Sequence, residues 1–136
     1  MKFIFRYQKA ILIIAALINI MGAIITIISP VFFFNQFFKY PPDPTNTFPY
    51  LAMYHYLFWS VVLIMGIAYW MCALNPEKHK IVLFIGATGK LVAVAFWIML
   101  YTQGHGKWGM VAASFEDGIM GIVMAMMYWG KRVVNK

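Results

Sequence analysis

Four long runs of apolar residues, separated by short polar or proline-containing segments, make up most of the chain. A helix needs about 20 mostly apolar residues to cross the hydrocarbon core of a bilayer, and each run reaches that length. Pro30 and Pro76 follow the first two runs, and proline ends a helix because it lacks the N–H that continues the hydrogen-bond ladder. The pattern predicts membrane-spanning helices over about residues 10–29, 51–74, 81–102 and 108–130.

The connections between the later helices are short. About five or six residues join the second helix to the third and the third to the fourth, and connections of this length make consecutive helices antiparallel neighbours. We therefore predict an all-α protein that forms a single domain over residues 1–136. Its architecture is a polytopic membrane four-helix bundle.

Residues 31–50, VFFFNQFFKYPPDPTNTFPY, form a longer connection between the first and second helices. The aromatic part is too short to span a membrane, but phenylalanine and tyrosine suit the boundary between lipid and water. We predict a short interfacial helix there, followed by an extended turn at PPDP. Two roles stay open for this segment: a lid over a cavity, or an aromatic belt that seats the protein in the membrane.

The composition indicates that lipid is the solvent for most of this chain. Hydrophobic residues make up 63% of it and charged residues only 11%. Soluble domains have about 25% charged residues. A soluble protein of this size could not bury so much apolar surface, so the class of soluble globular proteins is excluded.

The basic residues predict an orientation in the membrane. The net charge is +7, and eight Lys or Arg residues fall on one side of the predicted bundle against two on the other, Lys39 and Lys107. By the positive-inside rule, both termini and the NPEKHK loop are predicted to lie in the cytoplasm, which places the protein in the cell inner membrane. No basic stripe interleaved with aromatic residues is present, so we expect no nucleic-acid partner.

Three charged residues interrupt the third and fourth apolar runs. Lys90 lies in FIGATGKLVAVAF, and Glu116 and Asp117 lie in SFEDGIMG. GATGK is not a phosphate-binding loop, because Leu91 replaces the required Ser or Thr and Phe84 replaces the first glycine. A charge at the centre of a bilayer costs roughly 2.5–3.5 kcal/mol on insertion scales, so all three residues need partners or a function.

Helical geometry predicts that these charges meet. The third and fourth helices run antiparallel around a turn near His105, and the depths of Lys90 and the two acids differ by roughly 5–6 Å at 1.5 Å per residue. A lysine side chain can cover that distance. Because consecutive helical residues point about 100° apart, we expect one acid to face Lys90 and the other to face a different neighbour or a polar cavity.

These residues define the predicted site. The candidate ligand-binding or proton-carrying residues are Lys90, Glu116, Asp117, Asn19 in the middle of the first helix, and His55 above them near the outer surface. In the functional interpretation, Lys90 holds an anionic or carbonyl group and one of the acids holds or moves a proton. The alternative is a buried ion pair that only fixes the register of the helices.

No metal or cofactor is predicted. The single cysteine, Cys72, forms no C-x-x-C motif, and no cluster of His and Cys has zinc-ligand spacing. His55 and His105 are both placed towards the outer surface, so they are the candidate ligands of a haem. Haem and quinone remain the possible redox cofactors.

Several short motifs give the chain a resemblance to a known group. FFKYPPDP after the first helix, the basic loop NPEKHK, the pair Gly89-Lys90 and the pair Glu116-Asp117 resemble small bacterial four-helix membrane proteins of the broad DoxX-like kind. The resemblance implies the same four-helix fold. It also implies a link to quinone-dependent oxidoreduction, which some proteins of that group have.

Three functional hypotheses follow. The protein binds or moves an amphipathic small molecule, such as a quinone or lipid, or a proton. Alternatively, it is an accessory subunit that assembles with another membrane protein or with copies of itself, and its charge pair is structural. The third hypothesis is a quinone-linked redox protein. The sequence does not decide whether the chain is an enzyme.

Overall fold

The computed structural model describes residues 2–41 and 48–130, and within them it is helical apart from turns and one isolated bridge. Four helices are long and apolar enough to cross a membrane. The predicted all-α bundle is therefore confirmed. The helices are α1 (Lys2–Arg6), α2 (Gln8–Ile28), α3 (Pro30–Phe37), α4 (Phe48–Leu74), α5 (Lys80–Thr102) and α6 (Trp108–Trp129). The predicted PPDP turn beyond Pro41, and three of the basic residues near the C-terminus, lie outside the described residues.

The helix boundaries agree with the prediction except at two N-terminal ends. Helix α2 begins at Gln8 and α4 begins at Phe48, in both cases ahead of the apolar run that predicted them. Polar and aromatic residues at the end of a span extend the helix into the interface. Pro49 does not prevent this, since the first turn of a helix contains N–H groups that have no helical partner.

The short connecting helix is α3, and its position follows from Pro30. This proline ends α2 as predicted, with Ser29 between the helices, but it also occupies the first turn of α3. Its fixed φ and missing N–H suit that position. The predicted short helix is thus confirmed, and the chain turns sharply rather than continuing along α2.

The four long helices pack as two hairpins, α2 with α4 and α5 with α6. Glycine allows close approach at the first interface: a Cβ added to Gly66 would lie 2.7 Å from Ile20 Cγ1 and 3.1 Å from the Ile20 backbone nitrogen. The α5–α6 turn uses Gly104, whose φ of 82° is favourable only for glycine.

The hydrophobic core joins the two hairpins at one end of the bundle. Each long helix contributes small or flexible side chains to it, and most large apolar residues elsewhere are exposed, as expected for a surface that faces lipid. The core residues are Leu12, Ala15, Ala16, Tyr69, Cys72, Ala73, Leu83, Ala87, Met124 and Met127.

The same end of the bundle carries α1, the α4–α5 turn and the end of α6. Phe5 of α1 packs against Gly130, and both border a depression lined by Pro76 and Lys80. The two ends of the described chain therefore share one end of the bundle. That arrangement agrees with the expected even number of spans, whereas the cytoplasmic location of this end stays a prediction.

The opposite end is closed by α3 and the α5–α6 turn. The backbone N–H of Lys39 donates to the His105 carbonyl at 2.9 Å, and the N–H of Lys107 donates to the Phe37 carbonyl at 2.9 Å. The Lys107 ammonium also donates to the Asn35 carbonyl at 2.7 Å. These bonds tie α3 to the second hairpin at the end of the bundle away from the core cluster.

We expect Gly66→Ala to destabilise the α2–α4 hairpin. The new methyl group would force apart two helices that touch through backbone atoms, and overpacking of this kind costs about 1–3 kcal/mol. Gly22→Ala is the matched control, because a Cβ there would meet nothing within 4 Å. Unfolding in mild detergent measures both variants. Equal stability of Gly66→Ala and the wild type would contradict the close approach.

Candidate functional site

Lys90 is buried inside the bundle, with 6% of its surface exposed. It belongs to the face of α5 that also buries Leu83, Gly86 and Ala87. Spacings of three and four residues place side chains on one side of a helix, so the lysine follows the same periodicity as the apolar core. It is therefore the polar continuation of a buried face and does not point towards lipid.

Both acids of α6 contact this lysine. The Lys90 ammonium lies 2.5 Å from Asp117 Oδ1, 3.2 Å from Glu116 Oε1 and 3.4 Å from Glu116 Oε2. The predicted pairing across α5 and α6 is confirmed. The expectation that only one acid faces Lys90 is wrong, because the long lysine side chain brings its ammonium group within reach of both carboxylates.

Trp97 is a third partner that sequence reasoning missed. Its indole N–H donates to Asp117 Oδ2 at 3.2 Å, so Asp117 accepts from two donors. Trp97 follows Lys90 by two helical turns, a spacing that places both on one face and was visible in the sequence. The ring also packs against Phe37 of α3, with 5.5 Å between centroids.

The charged residues form the polar part of a cavity of about 390 Å³ between the two hairpins. Asn19 of α2 lines this cavity together with Lys90, Glu116 and Asp117, so four of the five predicted site residues come together. Tyr69 also lines it and joins it to the hydrophobic core. Gly86 makes room for this tyrosine, since a Cβ there would lie 2.6 Å from its hydroxyl oxygen.

The cavity walls are mostly apolar, and part of its lining is exposed on the outside of the bundle. Ile18, Val61 and Ile85 line the cavity and are each 41–51% exposed. In a bilayer these residues face the lipid tails. The cavity is thus bordered by membrane-facing residues on α2, α4 and α5, and it has the size and largely apolar lining typical of small-molecule sites.

His55 does not join this group. It is buried against Phe33 and Phe34 of α3 and lines a smaller aromatic depression. This depression and the main cavity share the lining residues Phe58, Trp59 and Trp97. Its Nε2 lies 3.0 Å from the Thr26 carbonyl oxygen. A carbonyl only accepts, so Nε2 carries the hydrogen in this bond.

The reason for this position lies in the backbone of α2. The Thr26 carbonyl would normally accept from the N–H four residues later, but that residue is Pro30. An unpaired carbonyl is costly in a membrane, and the imidazole supplies the missing donor. This bond gives His55 a structural role at the α2–α3 junction, whereas its part in a functional site stays a prediction.

The structure offers little support for haem or metal binding. His105 is exposed in the α5–α6 turn, and His55 already uses Nε2 in its bond to Thr26. Across residues 2–41 and 48–130, no group of three His, Cys, Asp or Glu side chains is arranged to hold a metal ion.

Comparisons of the chain with protein-family models, with curated proteins and with solved structures found no match. The resemblance to DoxX-like proteins therefore stays a prediction from the sequence. Function has to be inferred from the cavity and its charges.

We expect Lys90→Met to destabilise the protein by about 3–5 kcal/mol, because it leaves two buried carboxylates without their cation. Glu116→Gln should cost far less, since Asp117 keeps both of its donors and the remaining pair is neutral. Unfolding in mild detergent at neutral pH measures this asymmetry. Lys78→Met, which removes an exposed lysine from the α4–α5 turn, is the control for loss of a positive charge. Equal effects of Lys90→Met and Lys78→Met would show that the buried ion pair does not hold α5 and α6 together.

His55→Phe should destabilise the protein by about 1–3 kcal/mol, because it leaves the Thr26 carbonyl without a donor. Replacing Pro30 by alanine restores the N–H of residue 30 and tests whether the unpaired Thr26 carbonyl is the cause of the destabilisation. In the background of Pro30→Ala, His55→Phe should cost markedly less, since the helix can then supply the donor itself. Thermal unfolding of the two single variants and the double variant gives the coupling. Additive effects would mean that the histidine stabilises the junction through its ring packing alone.

Proposed function

We propose that this protein is a multi-pass protein of the cell inner membrane, with both termini in the cytoplasm, that binds an amphipathic small molecule between its two hairpins. The observation that carries the proposal is the cavity of about 390 Å³ whose walls are apolar and whose polar groups cluster on one side. A molecule with an apolar body and one polar group matches that distribution.

The apolar wall would hold the body of the ligand. Ile18, Val61, Val62, Met65 and Ile85 contribute to it from three helices. A ligand that enters from the bilayer leaves an apolar environment, so burial of its apolar surface contributes little hydrophobic free energy. Shape complementarity and dispersion contacts therefore matter more here than in a soluble protein. Met65 adds a flexible side chain that can adapt to different ligands.

The polar side would hold the head of the ligand. Lys90, Glu116 and Asp117 come from two helices, and Asn19 approaches from a third. Hydrogen bonds to charged groups contribute more than neutral ones when water is excluded. Two carboxylates beside one ammonium also provide a place to hold or move a proton, which would couple ligand exchange to proton movement.

Access from the membrane fits such a ligand. The exposed residues that border the cavity are apolar, and an amphipathic molecule dissolved in the bilayer reaches them without crossing water. At the other end, Phe37 of α3 lines the cavity and α3 is tied to the α5–α6 turn. This arrangement favours the interpretation of α3 as a lid over the cavity, rather than as an aromatic belt that only seats the protein in the membrane.

An accessory or structural subunit is the second candidate. The observation in its favour is that Lys90, Glu116 and Asp117 satisfy one another, with Trp97 as a further donor, so the charges have partners without a ligand. A partner would then be another membrane protein or a second copy of this chain, and it would copurify in mild detergent.

The proposal is tested by comparing probe binding to the wild type with probe binding to a variant whose cavity is filled by a larger side chain. A Cβ on Gly89 would meet nothing within 4 Å and this residue lines the cavity, so Gly89→Leu should fill it while preserving the fold. Ala95→Leu, an exposed position on the same helix outside the cavity lining, is the control. The probes are octanol, octyl sulfate, octyltrimethylammonium and decylubiquinone, added to the protein in lipid nanodiscs.

At least one probe should raise the free energy of unfolding of the wild type and of Ala95→Leu. A ligand at 100 times its Kd adds about 2.7 kcal/mol. The same probe should have little effect on Gly89→Leu. If no probe stabilises the wild type, or if Gly89→Leu responds equally, the cavity is not a binding site. The structural role would then be favoured.

A further inference from the structure

The charges that line the cavity do not balance. Lys90 is the one basic residue among the described residues that line it, and Glu116 and Asp117 oppose it. With all three ionised, one positive and two negative charges leave a formal charge of −1. An unbalanced charge inside a membrane is costly, so the site favours one further positive charge, supplied by a proton or by a positively charged occupant, over an anionic occupant.

The lysine is not available to hold an anion. Its ammonium group already contacts Asp117 at 2.5 Å and both oxygens of Glu116 at 3.2 and 3.4 Å. An anionic or carbonyl head would have to displace one of these carboxylates and would add negative charge beside the other. The expectation from the sequence that Lys90 binds such a group therefore conflicts with the charge of the assembled site.

Of the two acids, Glu116 is the one whose carboxylate has more capacity to interact with a further positively charged group. Asp117 accepts from both Lys90 and Trp97, and 16% of its side chain is exposed. Glu116 accepts from Lys90 at longer distances, and 33% of its side chain is exposed. It lines the cavity, so its carboxylate can face a positively charged head.

Aromatic rings surround the same space. Phe37, Phe58, Trp59, Tyr69 and Trp97 all line the cavity, from α3, α4 and α5. The faces of aromatic rings attract organic cations, and the attraction is stronger when water is excluded. Such rings give no comparable attraction to an anion. The rings therefore select the same sign of charge as the unbalanced acids, and they do so independently.

We propose that the cavity binds a monovalent organic cation with an apolar chain, such as an alkylammonium, whose charged head lies beside Glu116 within the aromatic lining of the cavity. This inference rests on the proposed function, because it names the class of amphipathic molecule that the cavity takes. The apolar wall holds the chain and the head restores charge balance. No covalent or redox step is involved.

The experiment compares three probes that share an eight-carbon chain: octyltrimethylammonium, octyl sulfate and octanol. Each is titrated into the wild-type protein in nanodiscs of zwitterionic lipid, and stabilisation against thermal unfolding gives an apparent Kd. Empty nanodiscs and Gly89→Leu correct for partition of each probe into the lipid. We expect octyltrimethylammonium to bind at least about tenfold more tightly than the other two, which is about 1.4 kcal/mol.

Two variants test the named contacts. Glu116→Gln keeps the shape of the side chain and removes the excess charge, and Trp59→Leu removes one aromatic face. Each should weaken cation binding by about tenfold and leave octanol binding within about twofold. Trp70→Leu is the matched control, because Trp70 lies on α4 outside the cavity lining and is 40% exposed.

The outcomes separate this inference from the proposed function. If octanol or octyl sulfate binds the wild type as tightly as the cation does, and Gly89→Leu abolishes that binding, the cavity takes an amphipathic molecule but the inference about its charge is wrong. Unchanged cation binding in both folded variants, Glu116→Gln and Trp59→Leu, would also overturn the inference. If no probe binds the wild type, the inference and the proposed function both fail.

Discussion

The burial of one ammonium group between two carboxylates constrains the whole second hairpin. In an apolar environment each of these charges is costly alone, and the cost is offset only when Lys90 reaches Glu116 and Asp117 together. That requirement fixes the register of α5 against α6, because a shift by one helical turn would separate the charges by about 5.4 Å. It also places the polar groups of the cavity on one side, so the interaction that holds the hairpin determines where a ligand head can lie.

The cavity lies between the two ends of the bundle, where the hairpins are joined in different ways. Small residues such as Ala16, Ala73 and Ala87 bring them together beside Tyr69, where the core is continuous. Towards α3 the hairpins are joined by backbone hydrogen bonds around Phe37, and the space between them is left open. A bundle with apolar packing along its full length would have no room for a ligand.

Two buried polar sites among the described residues differ in whether their hydrogen bonds and charges are balanced within the protein. At the α2–α3 junction, His55 donates to a carbonyl that Pro30 cannot serve, and the bond accounts for the histidine. In the cavity, each charged group has a partner, but two acids share one lysine, so their formal charges do not balance. A buried polar residue of a membrane protein therefore indicates function only if its position is not already explained by a backbone N–H or carbonyl group that needs a partner.

The sequence determined the spans, the short helix after Pro30 and the meeting of Lys90 with the acids of α6, because apolar length, missing N–H groups and residue spacing are local properties. It could not determine how the helices rotate about their axes. Rotation depends on packing between residues far apart in the chain, and it decided that both acids reach Lys90, that Trp97 joins them and that Asn19 shares their cavity. The tertiary structure likewise decided the hydrogen-bond partner of His55, which is a carbonyl that only the fold brings within reach.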